Sequence, residues 1–149
     1  MPSIRGAHNG RAAIATVAII DAAKYREHQE SRAAILTGVA PFRALVDTGA
    51  TSTMIATRVA AQIGLRQINK LPFMGLGGLS WRPGYLFHVA FYEHDPGDSS
   101  TPTTVHVCRK VINGGELTDE HTFDVLLGMD ILTTGRLQID KDGSFGFTF

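Results

Sequence analysis

The residues best suited to chemistry lie in the stretch Ala44-Leu45-Val46-Asp47-Thr48-Gly49-Ala50-Thr51-Ser52. An apolar run carries a single carboxylate to its end, and there the backbone must turn sharply. Gly49 permits the turn and a close approach by another chain or a ligand, because it has no Cβ. Thr48 supplies a hydroxyl that can fasten the turn to its surroundings. A carboxylate held in this way at the end of a buried strand is presented to a cleft. The same three residues also suit a plain turn that closes a strand, so the tripeptide alone does not choose between the two.

Other candidate sites are weaker. Gly75-Leu76-Gly77-Gly78-Leu79-Ser80 has the glycine density of a dinucleotide-binding loop, but Trp81-Arg82-Pro83-Gly84 does not begin the helix that should follow. His106 and Cys108 lie two apart on a predicted strand and share a face, which would allow a thiol nucleophile with a base. A small buried thiol is the commoner use of such a cysteine. The histidines are scattered without ligand spacing, so neither a metal nor any other cofactor is expected. Asp140-Lys141-Asp142-Gly143 starts like a calcium loop but no closing glutamate follows, and a hairpin turn accounts for it better.

Composition narrows the classes. A length of 149 residues fits one domain, 1–149, with enough chain to bury a core. Fourteen basic residues balance fourteen acidic ones, and no basic stripe stands out. Nucleic acid and anionic membrane are therefore poor partners. The lone Cys108 excludes an internal disulfide framework and fits a reducing compartment. The apolar run 12–20 is too short to span a bilayer, and Asp21 follows it directly where a cleavage site would be needed. A soluble cytoplasmic protein is the expectation.

The elements around Asp47 read mostly as strands. Residues 1–10, with Pro2, Gly6, Asn9 and Gly10, look like a loose arm, and 11–20 reads as a strand. Residues 21–30 fit either a long hairpin connection or a short helical turn. Residues 32–39 and 42–46 read as strands joined in a tight hairpin across Gly38 and Pro41. After Asp47 the period changes: Ile55, Val59 and Ile63 predict an amphipathic helix, with Ser52 as N-cap and Gly64 as its stop. Three glycines between apolar flanks at 71–81 predict a mobile hairpin tip. Pro83-Gly84 then leads into a strand over 85–92, and 94–102 reads as a surface loop. A strand over 103–112 is expected to end at Asn113-Gly114-Gly115. Phe123-Asp124-Val125-Leu126-Leu127-Gly128 repeats the logic of the first stretch, an apolar strand ending at a glycine, and 129–134 can make a short helix. Strands at 136–140 and 144–149 flank a Lys141-Asp142-Gly143 turn.

In this order the features resemble a retropepsin, the single-lobe aspartic protease of retroviruses and related bacterial proteins. Leu45-Val46-Asp47-Thr48-Gly49-Ala50 matches the active-site motif, including the Ala that retropepsins carry where pepsins have Ser. Met74-Gly75-Leu76-Gly77-Gly78 resembles the flap tip, at a similar distance after the aspartate. Val125-Leu126-Leu127-Gly128-Met129-Asp130-Ile131-Leu132 resembles the segment that completes the loop structure beneath the active site. The likeness covers roughly residues 32–149 in outline, and the first 31 residues lie outside it. Viral members usually pair an acidic residue after the Ala with an arginine after the later glycine. Thr51 and Met129 stand at those positions, so both partners are absent together and no buried charge is left alone. This pattern is similar to the bacterial branch.

The resemblance implies a mainly β fold, a closed barrel-like acid-protease lobe with two short helices, active as a homodimer. Hydrolysis without metal or covalent intermediate needs a base for water and an acid for the amide. Two close carboxylates sharing one proton supply both. The chain has one Asp-Thr-Gly, so the second carboxylate would be Asp47 of another copy on a twofold axis. Thr48 hydroxyls would bond across that axis, and Gly49 would let substrate lie against the loop. Ala50, Thr51, Met74, Gly75, Leu76, Gly77 and Gly78 would line the substrate, the last four as a closing lid. Leu126, Leu127 and Gly128 would support the loop. Phe145, Phe147 and Phe149 share one face by period-two spacing, and related dimers use terminal strands to build a shared sheet. The implied partners are a second copy of the chain and an extended polypeptide. The alternative is a dimeric peptide-binding module that keeps the fold and does not cut.

Overall fold

The structure, a computed structural model, describes residues 1–94 and 103–149. The loop expected over 94–102 lies, apart from His94, outside the described residues. The strands are β1 (Ser3–Ala7), β2 (Ile14–Asp21), β3 (Phe42–Val46), β4 (Met54–Ala56), β5 (Asn69–Gly75), β6 (Gly78–Tyr92), β7 (Val105–Val107), β8 (Ile112–Leu117), β9 (Val125–Leu127), β10 (Arg136–Ile139) and β11 (Ser144–Thr148). The helices are α1 (Ala22–Glu27), α2 (Arg32–Leu36), α3 (Thr57–Ile63) and α4 (Met129–Leu132). The chain is mainly β, as its pattern of short apolar runs between turn residues predicts.

Six strands run in the order β2-β3-β9-β4-β8-β6, and β6 pairs back onto β2, so the sheet closes on itself. Inside lies one cluster that includes Val17, Ile19, Ala44, Ile55, Phe87, Val89, Phe91, Val125 and Leu127. Closure leaves β2 and β6 with outward apolar residues as well. Ala18, Ile20, Ala90 and Tyr92 form a second cluster with Ile35, and Tyr25 and Leu36 pack against it. The two N-terminal helices exist to cover that outer face.

This explains the first departure from the sequence reading. Residues 32–36 are helix α2, not a strand, so no hairpin joins them to β3. The Ser31 hydroxyl accepts the Ala34 N–H at 3.2 Å, and Ile35 is buried. A short apolar run cannot be assigned to strand or helix by its period alone, and here the need to cover β2 decides. Of the two options for 21–30, the helical one holds, with Asp21 accepting the Ala23 N–H at 2.9 Å.

Three further expectations change. The supposed loose arm contains β1, paired antiparallel with β11, and its Ile4 is buried. Ile55 belongs to strand β4; helix α3 starts after Ala56, and Ser52 does not cap it. Gly64 does end that helix, in the left-handed conformation at φ 77°. The strand expected over 103–112 is two strands, and Asn113-Gly114-Gly115 lies inside β8 instead of ending it. Those glycines serve close packing, since a Cβ on Gly114 would sit 2.5 Å from the Phe87 ring and 2.8 Å from the Thr53 carbonyl.

The C-terminal sheet differs from the one expected. Its order is β1-β11-β10, so β11 has both edges occupied within its own chain and offers none to a partner. Phe145 and Phe147 are buried in the main core, and Phe147 and Phe149 each contact Phe91, at 5.3 and 5.0 Å between ring centroids. The outer edges of β1 and β10 are what this sheet leaves unpaired.

Candidate active site

Asp47 follows directly on β3. This strand runs parallel to β9, with Leu45 opposite Leu126 and Val46 opposite Leu127. The Asp47 N–H donates to the Leu127 carbonyl at 3.0 Å, which carries the pairing one residue beyond the strand. The turn then forms as its residue types dictate. Gly49 donates its N–H to Asp47 Oδ1 at 2.9 Å, and the Ala50 N–H reaches the Asp47 carbonyl at 3.2 Å. Asp47 is half-buried, whereas Thr48 and Gly49 are exposed.

The loop beyond the turn crosses directly over the end of β9. Met129 and Asp130, in the first turn of α4, donate their N–H groups to the carbonyls of Ala50 and Thr51, at 2.8 and 3.2 Å. The crossing is so close that a Cβ on Gly128 would lie 2.5 Å from the backbone carbon of Ser52. Only glycine fits there.

Thr53 and Asp130 lock this crossing, and the sequence reading missed both as site residues. The Asp130 carboxylate accepts the Thr53 N–H at 2.9 and 3.0 Å and the Thr53 hydroxyl at 2.6 Å. The same hydroxyl accepts the Gly128 N–H at 3.1 Å. Thr53 is fully buried, so all of its polar groups must be satisfied within the protein. Thr51 and Met129, the positions of the absent charge pair, are exposed. A neutral hydroxyl and one carboxylate therefore tie the two loops together. The available signal was an acid in the first turn after a strand–glycine unit, a position that favours negative charge.

On the outer side of β9, Arg58 of α3 donates to Asp124 at 2.6 Å, and Asp124 accepts the Arg43 N–H at 2.8 Å. The hydrogen bond to Asp124 raises the Arg58 pKa above its ordinary value. This network fixes β3, β9 and α3 relative to one another.

Strands β5 and β6 form the predicted hairpin, in register from Asn69 opposite Gly84 to Gly75 opposite Gly78. Its turn has Gly78 at φ 97°, a conformation that suits glycine; a Cβ on Gly77 meets nothing within 4 Å. The loop and hairpin enclose a cleft of about 520 Å³, lined on one side by Gly49, Ala50 and Thr51 and on the other by Leu71, Phe73, Met74 and Arg82. Gly75, Leu76, Gly77 and Gly78 are not part of this lining, and Leu76 stands wholly in solvent. Asp47 and Thr48 face a neighbouring hollow of about 340 Å³, lined also by His8, Arg11 and Ile139. Asp47 thus lines the hollow, and Gly49, two residues on, begins the lining of the cleft.

The other candidates resolve simply. Gly75–Gly78 is a turn between antiparallel strands with no helix after it. Cys108 is buried with its thiol 3.9 Å from the Thr134 hydroxyl, and His106 lies 3.7 Å from Glu93. Asp142 accepts from Ser144 in the hairpin turn at Gly143. Among the described residues, no three of His, Cys, Asp and Glu gather where they could hold a metal ion. No helix among them is long and apolar enough to cross a membrane.

The sequence profile of the family described as aspartyl protease matches residues 33–131. That span contains the Asp47 turn, the hairpin and the Gly128 crossing, and the chain belongs to this family. The fold is similar to the crystal structure of a retropepsin-like aspartic protease from Rickettsia conorii, with a TM-score of 0.56 and 15% identity over 98% of this chain and 89% of that one. The lobe is retropepsin-like. No curated protein matches the sequence.

Proposed function

We propose that the protein is an aspartic endopeptidase, active as a homodimer, with one Asp47 from each subunit at a shared site. The observation that carries this reading is the Asp47 turn itself. A carboxylate is held by a single N–H in the turn that leads into a flap-lined cleft, on a loop fixed from beneath, and neither the cleft nor the hollow that Asp47 lines contains a second acid. Half of a carboxylate pair is present, and a twofold axis would supply the other half.

In the pair, one carboxyl keeps a proton because two adjacent carboxylates do not ionise together. The ionised Asp47 takes a proton from water as the water oxygen attacks the peptide carbonyl carbon. The protonated Asp47 gives its proton to the carbonyl oxygen. Collapse of the tetrahedral adduct breaks the C–N bond: the amide nitrogen leaves with the proton first taken from water, and one adduct hydroxyl returns its proton to the other Asp47, which leaves a carboxylic acid product and restores the shared proton. Thr48, exposed in the single chain, would bond across the axis. Gly49, Ala50 and Thr51 would meet the substrate backbone, and Met74 with the Gly75-Leu76-Gly77-Gly78 tip would close over it. Leu126, Leu127 and Gly128 would hold the loop at the correct height.

The test is subunit mixing. Asp47→Asn keeps the shape and hydrogen-bonding capacity of the side chain, so the variant should fold, dimerise and bind peptide without hydrolysing it. After exchange with an equal amount of wild type, random pairing leaves about one quarter of the dimers intact, so activity per total protein falls to about one quarter of that of wild type. A fall to only about one half would mean that each chain carries a complete site. Wild type that binds peptides without cutting them would support the non-catalytic binding module.

A further inference from the structure

We propose that Arg82 makes this cleft selective for peptides that carry a carboxylate side chain. The proposal rests on reading the cleft as the peptide site, and it adds the chemical class of the peptide. Arg82 lies on β6 opposite Leu71 of β5, and Phe73 is two residues further on, on the same face of the hairpin. Its guanidinium carbon stands 4.7 Å from the centroid of the Phe73 ring. That contact is a cation–π interaction, which engages the charge of the guanidinium without consuming a hydrogen-bond acceptor. It holds the group at the cleft, whose lining includes Arg82, and leaves the N–H donors to take a carboxylate.

Among the described residues nothing uses those donors: the ion pairs are made by Arg58 and His106, and no carboxylate lies within reach of Arg82. Arg82 is also the single charged side chain in the cleft lining, where its neighbours include Met54, Leu71, Met74 and Leu79. It is half-buried, so solvent screens it less than it would a charge at a strand tip. An apolar peptide side chain finds matching walls anywhere in such a cleft. Charge is recognised at one place. In a twofold dimer the cleft would hold two copies of Arg82, and acids on both sides of the scissile bond would each meet one.

The experiment moves a single Glu along an otherwise apolar peptide and compares each position with Gln. It reads kcat/KM with the wild type and Kd with Asp47→Asn. At one register on each side of the scissile bond Glu should be favoured about tenfold, as charge-assisted hydrogen bonds imply. The Glu/Gln ratio should fall to about one in Arg82→Gln, survive in Arg82→Lys, and give way to a preference for Lys in Arg82→Glu. A role confined to stiffening the hairpin would change rates but not this ratio. Cleavage with no Glu preference at any register overturns the proposal and leaves the protease reading intact, as does a preference that survives Arg82→Gln. A preference in Kd that tracks Arg82 without any cleavage upholds the proposal and sinks the protease reading. Peptides neither bound nor cut would sink both.

Discussion

The cleft has two walls built on opposite principles. The Asp47 loop is fixed by backbone crossing: α4 donates to it, β9 passes beneath it, and the Thr53–Asp130 bonds close the gap. From Leu71 to Arg82 the β5–β6 hairpin pairs only its own two strands, and Met74, Leu76, Leu79 and Trp81 are all exposed on it. Yet β6 is one strand of 15 residues, exposed at Gly78 and almost wholly buried from Tyr85 to Tyr92. One wall resists movement because backbone bonds from α4 and the buried Thr53–Asp130 contact tie it to the barrel. The other can move at its tip because its far end is anchored in the barrel. A lid needs both properties in one strand.

The sharpest way to break this contrast is at the crossing. Gly128→Ala puts a methyl group into the Ser52 backbone and should cost upwards of about 3 kcal/mol. Denaturant unfolding would read it, and a stability near wild type would mean that the loop is not pinned there. Asp130→Ala comes next. It strands the buried Thr53 N–H and weakens the Gly128 contact, for a loss of about 2–3 kcal/mol with turnover falling alongside. Asp130→Asn should recover part of both, and a variant with unchanged Tm would remove Asp130 from the lock.

On the hairpin the expected pattern reverses. Gly78→Ala forces a side chain into a left-handed turn and should cost only about 1 kcal/mol in stability, while turnover drops far more. Gly77→Ala, with open space around it, should change stability by less than about 0.5 kcal/mol. Equal turnover for the two variants would mean that the tip takes no part in catalysis.

The smallest effect concerns the buried half of β6. His88 stacks on Tyr25 at 3.9 Å between centroids and bonds the Cys108 carbonyl at 3.1 Å. Burial lowers its pKa, opposed by the carbonyls of Cys108 and Lys110. Below the ordinary value of about 6.5, the unfolded chain therefore takes up a proton that native His88 refuses. Stability is complete above that pH and declines as pH falls toward the lowered native value. The proposed Asp47 pair would work best in mild acid, so this anchor would weaken on the side where that chemistry strengthens. His88→Gln should flatten the dependence of Tm on pH in that window; an unaltered slope would assign it to other groups.

The sequence by itself determined the local chemistry. The Asp-Thr-Gly turn, the glycine-tipped hairpin, the Gly64 stop and the strand that ends at Gly128 are each set by residue type within a few positions. They were legible for that reason, and so was the family. What tertiary structure decided is everything that depends on which surface a segment must cover. Residues 32–36 became helix because closing the barrel left Ala18, Ile20 and Tyr92 facing outward. The arm at 3–7 became a strand because β11 had an edge to offer, and β11 lost its place in a shared sheet for the same reason. Gly114 and Gly128 are glycines for lack of room, a fact fixed by Phe87 and Ser52, which lie far away along the chain. Thr53 and Asp130 are separated by 77 positions, and only the fold brings a hydroxyl and a carboxylate to the same point beneath Asp47.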